Sequence, residues 1–301
     1  MKNFICITVL AVFLQSCAAK EVMTDNTNNI APFKYAGRYM IKIPVTLNKL
    51  DKTFFIFDTG IGVNILSKKL CDQYGCKITS HHSGKRMSGQ QLEIPMSTLS
   101  SLTFAGKEMK DIPVAIWEMN GFLPNYDDCK DIEGFLSLGF FRDKAFTMDY
   151  KKGEFILETP EGLNARAKSG HVIPITINED GPAITIFMPL TLPDGTKIKV
   201  EIDLGGDILT LNEKYMDLLK VDRKAKNVRA EKQNDETGHP YVRYYTDIAG
   251  PIAPTAAPML KQSNLSLMFQ KIIYDGLIAN DYMKHFTVTY DLANSRIILN
   301  N

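Results

Sequence analysis

The stretch Phe54-Phe55-Ile56-Phe57-Asp58-Thr59-Gly60 decides the fold of this chain. Four apolar residues with strong strand preference run into an acid, a hydroxyl residue and a glycine. A carboxylate at the inner end of a buried strand is costly unless a partner or a function uses it. The glycine lets another backbone pass close by. Because Asp, Thr and Gly are also ordinary turn residues, the stretch alone predicts only a strand that ends at a turn.

A second copy of the stretch changes that interpretation. Ile198-Lys199-Val200-Glu201-Ile202-Asp203-Leu204-Gly205-Gly206 is again a strand-like run that ends in Asp-x-Gly. Two further landmarks also occur twice in the same order, at offsets between 140 and 145 positions. This repeated order predicts an internal duplication and therefore two domains of similar structure. The paired landmarks are Asp58 with Asp203, Gly134 with Gly276, and Phe146-Thr147-Met148-Asp149-Tyr150 with Phe286-Thr287-Val288-Thr289-Tyr290.

Each half resembles a retropepsin-like aspartic protease domain, and the tandem resembles a bilobal, pepsin-like single chain. In that family each lobe contributes one Asp from an Asp-Thr/Ser-Gly loop, and a later apolar-apolar-Gly strand passes behind the loop. The resemblance implies a mostly β fold of two pepsin/retropepsin-like β-barrel lobes related by pseudo-twofold symmetry. The expected lobes are residues 33–159 and 170–301, joined by a linker over residues 160–169.

The resemblance also implies an aspartic endopeptidase. Asp58 and Asp203 would face each other and share one proton, because like charges at close range do not both ionise readily. The ionised member would activate a water that attacks the peptide carbonyl, and the protonated member would donate to the carbonyl oxygen. This chemistry needs no metal and no cofactor, and its substrate is an extended peptide or protein. The supporting loop residues are Thr59, Gly60, Leu204 and Gly205, and the expected flap residues are Gly84, Lys85, Arg86, Met87, Ser88 and Gly89.

The second motif departs from the family pattern. Leu204 replaces the Thr or Ser whose hydroxyl, in the family, bonds across to the loop of the other lobe. Thr59 still offers such a hydroxyl, so we expect a one-sided clamp and a softer Asp203 loop. Two other functions therefore stay open: a catalytically inactive pepsin-fold lipoprotein that binds peptides or proteins, and a purely structural envelope lipoprotein. The other departures are Ile61 and Gly206, one residue after each motif, and Ser137 and Ala279, in place of the Gly of the apolar-apolar-Gly element.

The N-terminus has the pattern of an export signal. Lys2 precedes an apolar run over residues 4–14 that is too short to span a bilayer and suits a signal peptide. The run ends in Leu14-Gln15-Ser16-Cys17, which resembles a bacterial lipobox. The resemblance implies a signal peptide over residues 1–16, lipidation of Cys17 and a tether over residues 17–32. The protein would then be an envelope lipoprotein, delivered to the outer membrane and touching the membrane only through its lipid. The alternative is an ordinary signal peptide cleaved near Ala18-Ala19.

Two cysteines follow the first motif at a spacing similar to the first disulfide of pepsins. The resemblance therefore implies a disulfide between Cys71 and Cys76, which an oxidising compartment favours. A C-x4-C metal half-site is the alternative, but no second half exists because Cys129 stands alone. Cys129 would stay unpaired.

Composition narrows the class of partner. The 301 residues are 45% hydrophobic and 23% charged, as expected for a soluble globular core. Their formal net charge is +1, and no basic cluster points to nucleic acid as a partner. We therefore expect a monomer that meets peptide substrate and no nucleic acid.

Overall fold

Strands in which buried and exposed residues alternate build most of the protein. The computed structural model describes residues 29–48, 51–119, 122–235 and 237–301. The expected signal peptide, Cys17 and all but the last residues of the expected tether lie outside those ranges. The strands of the first half are β1 (Ile30–Pro32), β2 (Lys34–Ala36), β3 (Met40–Leu47), β4 (Asp51–Phe57), β5 (Ile65–Ser67), β6 (Ser80–Lys85), β7 (Gln91–Phe104), β8 (Lys107–Trp117), β9 (Ile132–Leu136), β10 (Phe146–Asp149) and β11 (Glu154–Leu157), and its helix is α1 (Lys68–Tyr74).

The second half repeats this series of elements after one additional helix. Short 3-10 helices cover Asp127–Cys129, Leu138–Phe141, Glu213–Tyr215, Pro258–Leu260 and Leu292–Asn294. Within the described ranges, no helix has the length and apolar character needed to cross a bilayer. The remaining elements are α2 (Pro160–Ser169), β12 (His171–Pro174), β13 (Thr176–Asp180), β14 (Ala183–Thr191), β15 (Lys197–Ile202), β16 (Thr210–Asn212), β17 (Arg229–Asn234), β18 (Pro240–Ile248), β19 (Ala253–Pro254), β20 (Leu265–Gln270), β21 (Gly276–Ile278), α3 (Asn280–Met283), β22 (Thr287–Asp291) and β23 (Arg296–Asn300).

The two halves have the same sheet topology. The first sheet has the order β2-β3-β4-β9-β5-β8-β7-β6, and the second has the order β13-β14-β15-β21-β16-β20-β18-β17. In both, a late strand lies between two early ones, parallel to the first and antiparallel to the second. The insertion requires close backbone approach, since a Cβ on Gly134 would overlap the carbonyl of Ile65 and a Cβ on Gly276 that of Thr210. The matching orders confirm the internal duplication and the mostly β, two-lobed fold that the sequence predicts.

A third sheet joins the halves and contains their symmetry axis. Its order, β1-β11-β10-β22-β23-β12, has equivalent strands at equivalent distances from the centre. At that centre Thr147 pairs with Thr289, and their hydroxyl oxygens are 2.6 Å apart. The ring of Phe146 stacks on Tyr290 with a centroid distance of 4.7 Å. The pseudo-twofold axis therefore passes between two repeated threonines of the sequence.

The segment expected to be the interlobe linker is a helix. α2 occupies residues 160–169, with Thr159 as its N-cap and Pro160 in its first turn. The Thr159 hydroxyl accepts a hydrogen bond from the Gly162 N–H at 3.1 Å. No residue of α2 is buried, so the segment has no apolar periodicity to reveal it as a helix in the sequence.

Candidate active site

The structure brings the two motif acids together between the lobes. Asp58 follows β4 and Asp203 follows β15, so each lies at the end of a buried strand. Their backbone N–H groups donate to Leu136 O at 3.0 Å and Ile278 O at 2.9 Å, which belong to the inserted strands. The two carboxyl groups are in hydrogen-bond contact with one another, and both residues are partly exposed. The site is therefore a pair of partly exposed carboxyl groups at the meeting point of the two lobes.

The motif glycines bring each loop against the opposite acid. A Cβ on Gly60 would overlap the carboxylate of Asp203, and a Cβ on Gly205 would overlap that of Asp58. Each glycine N–H also donates to the acid of its own loop, at 2.8 Å from Gly60 and 3.0 Å from Gly205. Only glycine leaves room for the pair to meet while supplying these donors.

A single threonine clamps the two loops. The hydroxyl of Thr59 donates to Ile202 O at 2.6 Å and accepts from the Leu204 N–H at 2.9 Å. Leu204 offers no hydroxyl in return, and its side chain is completely buried in the core. The clamp is therefore one-sided, with the first lobe supplying the only side-chain hydroxyl of the two motifs.

Asn280 also holds the Asp203 loop, a contact that the sequence does not reveal. Its Nδ2 atom donates to Leu204 O at 2.5 Å and to Tyr39 O of the first lobe at 3.1 Å. Its Oδ1 atom accepts from the Tyr150 hydroxyl at 3.3 Å. The side chain is 2% exposed, so these bonds are shielded from water. The internal repeat offers one sequence clue to this role: Asn280 stands where the first half has the apolar Leu138.

Ser137 and Ala279, which replace glycine behind the two acid loops, are each accommodated by a neighbouring residue. Ser137 is held by Asn64, whose Oδ1 atom accepts from the Ser137 N–H at 3.0 Å. Ala279 is fully buried, and a Cβ on Gly206 would lie 3.2 Å from its methyl group. Gly206 therefore makes room for the methyl group that Ala279 adds to this crowded region.

The surroundings of the pair favour a shared proton. Burial and the charge of Asp203 raise the pKa of Asp58 to about 8, against hydrogen bonds from the backbone N–H groups of Gly60, Ile61 and Gly205. Burial also raises the pKa of Asp203. The two titrations belong to the pair, because each charge depends on the state of the other.

A third acid, Glu201, lies close to the pair. It is 5% exposed and lies on β15, two residues before Asp203. Its neighbours across the sheet are Phe187 and Leu277. Burial first, and then the charges of Asp203 and Asp58, raise its pKa well above the usual range. The first lobe has the apolar Ile56 at the equivalent position, and this difference between the repeats is the sequence clue that Glu201 is unusual.

The residues expected to form a flap lie in a hairpin of β6 and β7 whose tip contacts the second lobe. Gly84 and Lys85 end β6, and the Arg86 side chain lies 3.4 Å from the Asp235 carboxylate. Met87 O accepts from the Ile273 N–H at 2.8 Å. The loop between β17 and β18, which contains Asp235, therefore meets the tip of the β6–β7 hairpin. Ser88 and Gly89 complete the tip, where a Cβ on Gly89 would lie 3.1 Å from the Ile273 side chain.

Within the described ranges Cys71, Cys76 and Cys129 are free thiols, in contrast to the disulfide that the resemblance implies for Cys71 and Cys76. Gly75, in the left-handed conformation, ends α1 and turns the chain so that the Cys76 N–H donates to Cys71 O at 2.9 Å. The two thiols are in hydrogen-bond contact, and burial is the main cause that raises the pKa of Cys71 to about 12. The pairing stays a prediction. Cys129 is a buried free thiol beside Asp128, distant from both in the chain.

Together the lobes, the inserted strands and the paired loops define a fold of the pepsin-like class. The chain is similar in structure to the basic 7S globulin from soybean, with a TM-score of 0.54 and 11% sequence identity. The alignment covers 90% of this chain and 94% of that chain. No protein-family model and no curated protein matches the chain by sequence. At this identity the similarity shows the fold alone.

Proposed function

We propose that this chain is an aspartic endopeptidase that hydrolyses peptide bonds with a water activated between Asp58 and Asp203. The observation that carries the proposal is the contact between the two carboxyl groups at the meeting point of two equivalent loops. Paired acids with raised pKa values in a groove are typical of acid–base catalysis.

The geometry supports a mechanism with no covalent enzyme intermediate. The ionised carboxylate of the pair removes a proton from a water molecule, whose oxygen forms a bond to the peptide carbonyl carbon. The protonated carboxyl group donates its proton to the carbonyl oxygen as the tetrahedral centre forms. When the C–N bond breaks, the pair gives its proton to the leaving nitrogen and takes one back from a hydroxyl of the tetrahedral diol, so it ends singly protonated.

An extended peptide is the substrate class that suits this groove. The β6–β7 hairpin is long and exposed along its edge, so its main chain can pair with an extended segment. The contacts of Arg86 and Met87 with the second lobe hold this hairpin over the groove. A peptide would lie beneath the hairpin and above the acid pair.

The test is cleavage of a pool of unstructured peptides by residues 17–301, followed by mass spectrometry. We expect cleavage by the unaltered chain, inhibition by pepstatin, and loss of cleavage in Asp58→Asn and in Asp203→Asn. Each variant keeps the shape of the side chain and removes the ability to ionise. Cleavage that persists in both variants would overturn the proposed mechanism.

One observation favours a second candidate, a catalytically inactive peptide-binding protein. Leu204 removes one of the two clamping hydroxyls, so the second loop is degenerate. The same peptide pool separates the candidates, because a binding protein retains peptides without cleaving them.

We further propose that the chain is anchored to a bacterial outer membrane through a lipid on Cys17. The lipobox-like residues 14–17 support this proposal. Mass spectrometry of the mature N-terminus tests it. A lipid-modified Cys17 is the expected result, and an unmodified terminus at Ala18 or later would exclude the anchor.

A further inference from the structure

A cavity borders the tip of the β6–β7 hairpin and is lined by both lobes. Ser88 at that tip forms one part of its wall. The second lobe forms most of the rest, through the β17–β18 hairpin and through Gln270 and Lys271 at the end of β20. The volume of the cavity is about 710 Å³, which lies in the usual range for sites that bind small ligands.

Contacts between the lobes fix the position of this cavity. The Ile273 N–H donates to Met87 O at 2.8 Å, and the Thr237 hydroxyl donates to Oε1 of Gln90 at 3.0 Å. Met87 and Gln90 lie on either side of Ser88 in the hairpin tip. The cavity is therefore held at the edge of the hairpin under which the proposed peptide substrate lies.

The walls of the cavity carry more positive than negative charge. Lys232 and Lys271 line it, and among the described residues their ammonium groups have no hydrogen-bond or ion-pair partner. Glu213 is the one acid among the described residues that line it, and the Arg223 guanidinium lies 3.7 Å from the Glu213 carboxylate. Because that carboxylate is already paired, the two ammonium groups remain available to an anion.

Gln270 offers the same cavity a hydrogen-bond donor that is largely shielded from water. Gln270 is 3% exposed, and its Oε1 atom accepts from the Arg243 Nε–H at 2.9 Å. With the amide oxygen directed at Arg243, the other end of the amide is the Nε2 donor, which has no partner within the described ranges. A shielded donor gains more from an acceptor on a ligand than an exposed donor does, because water competes less for it.

The cavity lies within reach of a peptide that crosses the acid pair. Gln270 lies three strands from β15, in the order β15-β21-β16-β20. Along the strands it is level with Lys199, four residues before Asp203, because it pairs with Asn212 and both Asn212 and Lys199 bond to Asp275. Strand spacings of about 4.8 Å and rises of about 3.3 Å per residue place Gln270 on the order of 20 Å from Asp203, the length of about six extended residues.

We propose that this cavity binds an acidic side chain of the peptide substrate, about six residues from the bond that is cleaved. The ammonium groups of Lys232 and Lys271 supply positive charge, and Nε2 of Gln270 and the hydroxyl of Ser88 supply directed donors to the carboxylate oxygens. A peptide with Glu or Asp at this position is bound in preference to its amide counterpart. This inference rests on the proposed function only in that a peptide must occupy the groove.

The test uses hexadecapeptides that share one central sequence and differ by a single Glu-to-Gln exchange, placed at each outer position in turn. We measure kcat/KM on residues 17–301 and, separately, the Kd of each rhodamine-labelled peptide on the Asp58→Asn chain by anisotropy. The binding measurement does not require catalysis, so it separates failure of the cavity site from failure of the proposed activity.

Two double variants, matched in charge, assign any preference to the cavity. Lys232→Gln/Lys271→Gln removes both of its ammonium groups. Lys224→Gln/Lys226→Gln is the control, because it changes the net charge of the same lobe by the same amount at residues that do not line the cavity. All four lysines are exposed, so we expect both variants to unfold at the same urea concentration as the unaltered chain.

We expect Glu to be preferred over Gln by at least about fivefold at one position or at two neighbouring positions, since charged hydrogen bonds weaken with exposure to water. Lys232→Gln/Lys271→Gln should reduce this preference to within about twofold, whereas the control should keep it. Absence of any preference for Glu, a preference that survives the loss of both cavity lysines, or an equal loss in the control would overturn the inference. So would failure of the Asp58→Asn chain to bind any of the peptides. Normal preference in binding without any cleavage would overturn the proposed activity alone.

Discussion

The hydroxyl of Thr59 lies 2.9 Å from the backbone nitrogen of Leu204, and this bond joins the two acid loops across the symmetry axis. From the second lobe, the equivalent residue Leu204 contributes a buried apolar side chain and no polar side-chain group. The loops are thus held by one threonine of the first lobe, by Asn280 of the second, and by the close packing of each glycine on the opposite acid.

Replacing Thr59 should loosen the acid pair. Thr59→Val keeps the shape of the side chain but leaves Ile202 O and the Leu204 N–H without a partner. Each buried unpaired group costs about 1–3 kcal/mol, so we expect a lower unfolding free energy and at least tenfold lower activity. Thr59→Ser keeps the hydroxyl and should stay close to the unaltered chain. Urea unfolding and peptide cleavage measure both effects; equal behaviour of the Val and Ser variants would contradict the clamp.

Asn280 should matter for the position of the Asp203 loop. Asn280→Ala removes the donor shared by Leu204 O and Tyr39 O, which costs about 1–3 kcal/mol of stability. Because the loop is also freed, kcat should fall more than KM rises. Asn178→Ala, on an exposed strand, is the control and should change neither. An unchanged kcat in a destabilised Asn280→Ala chain would assign Asn280 a purely structural role.

Stability should fall with rising pH because of Glu201. Its folded pKa lies well above the unfolded value, so the folded state binds the proton more tightly. The favourable contribution is complete below the ordinary glutamate pKa and is lost as the pH rises toward the folded value. Glu201→Ile, with the residue of the first lobe, should raise the unfolding free energy at pH 7 by about 1–3 kcal/mol. Denaturant unfolding from pH 4 to pH 8 should show a shallower decline in this variant, and a steeper one would contradict the buried acid.

Activity should extend to neutral pH. The pKa of about 8 for Asp58 indicates that the pair keeps its shared proton through pH 7. Loss of that proton at higher pH removes the donor to the carbonyl oxygen, so kcat/KM should decline near pH 8. A pH–rate profile measures the decline. A fall centred below pH 6 would show that the pair is less buried or less strongly coupled than the structure indicates.

The contact between the hairpin tips should limit how often the β6–β7 hairpin opens to admit a peptide to the groove. In the double variant Arg86→Gln/Asp235→Asn the ion pair is lost and the Met87–Ile273 backbone bond should open more often. Hydrogen exchange should then become faster at residues 86–90, since that bond loses its support. Lys68→Gln removes an exposed ion pair with Asp72 and serves as the control. Exchange at the tip that matches the control would show that the ion pair does not hold the hairpin.

The sequence by itself determined the duplication and hence the fold. Repeated landmarks fix which strands correspond, and alternation of apolar residues fixes which strand faces are buried. The two acids and their glycines could be found in the same way, because a polar residue at the end of a buried strand is conspicuous in a one-dimensional pattern. The helix at residues 160–169 escaped this reasoning, since its surface is polar all round.

Only the tertiary structure decided what surrounds the acids. Asn280 and Glu201 act across strands and between lobes, and contacts between residues 76 to 241 positions apart leave no periodic trace in the chain. Burial also raises the pKa values of Asp58, Asp203 and Glu201, because the free energy of a charge depends on the groups packed around it rather than on its neighbours in sequence.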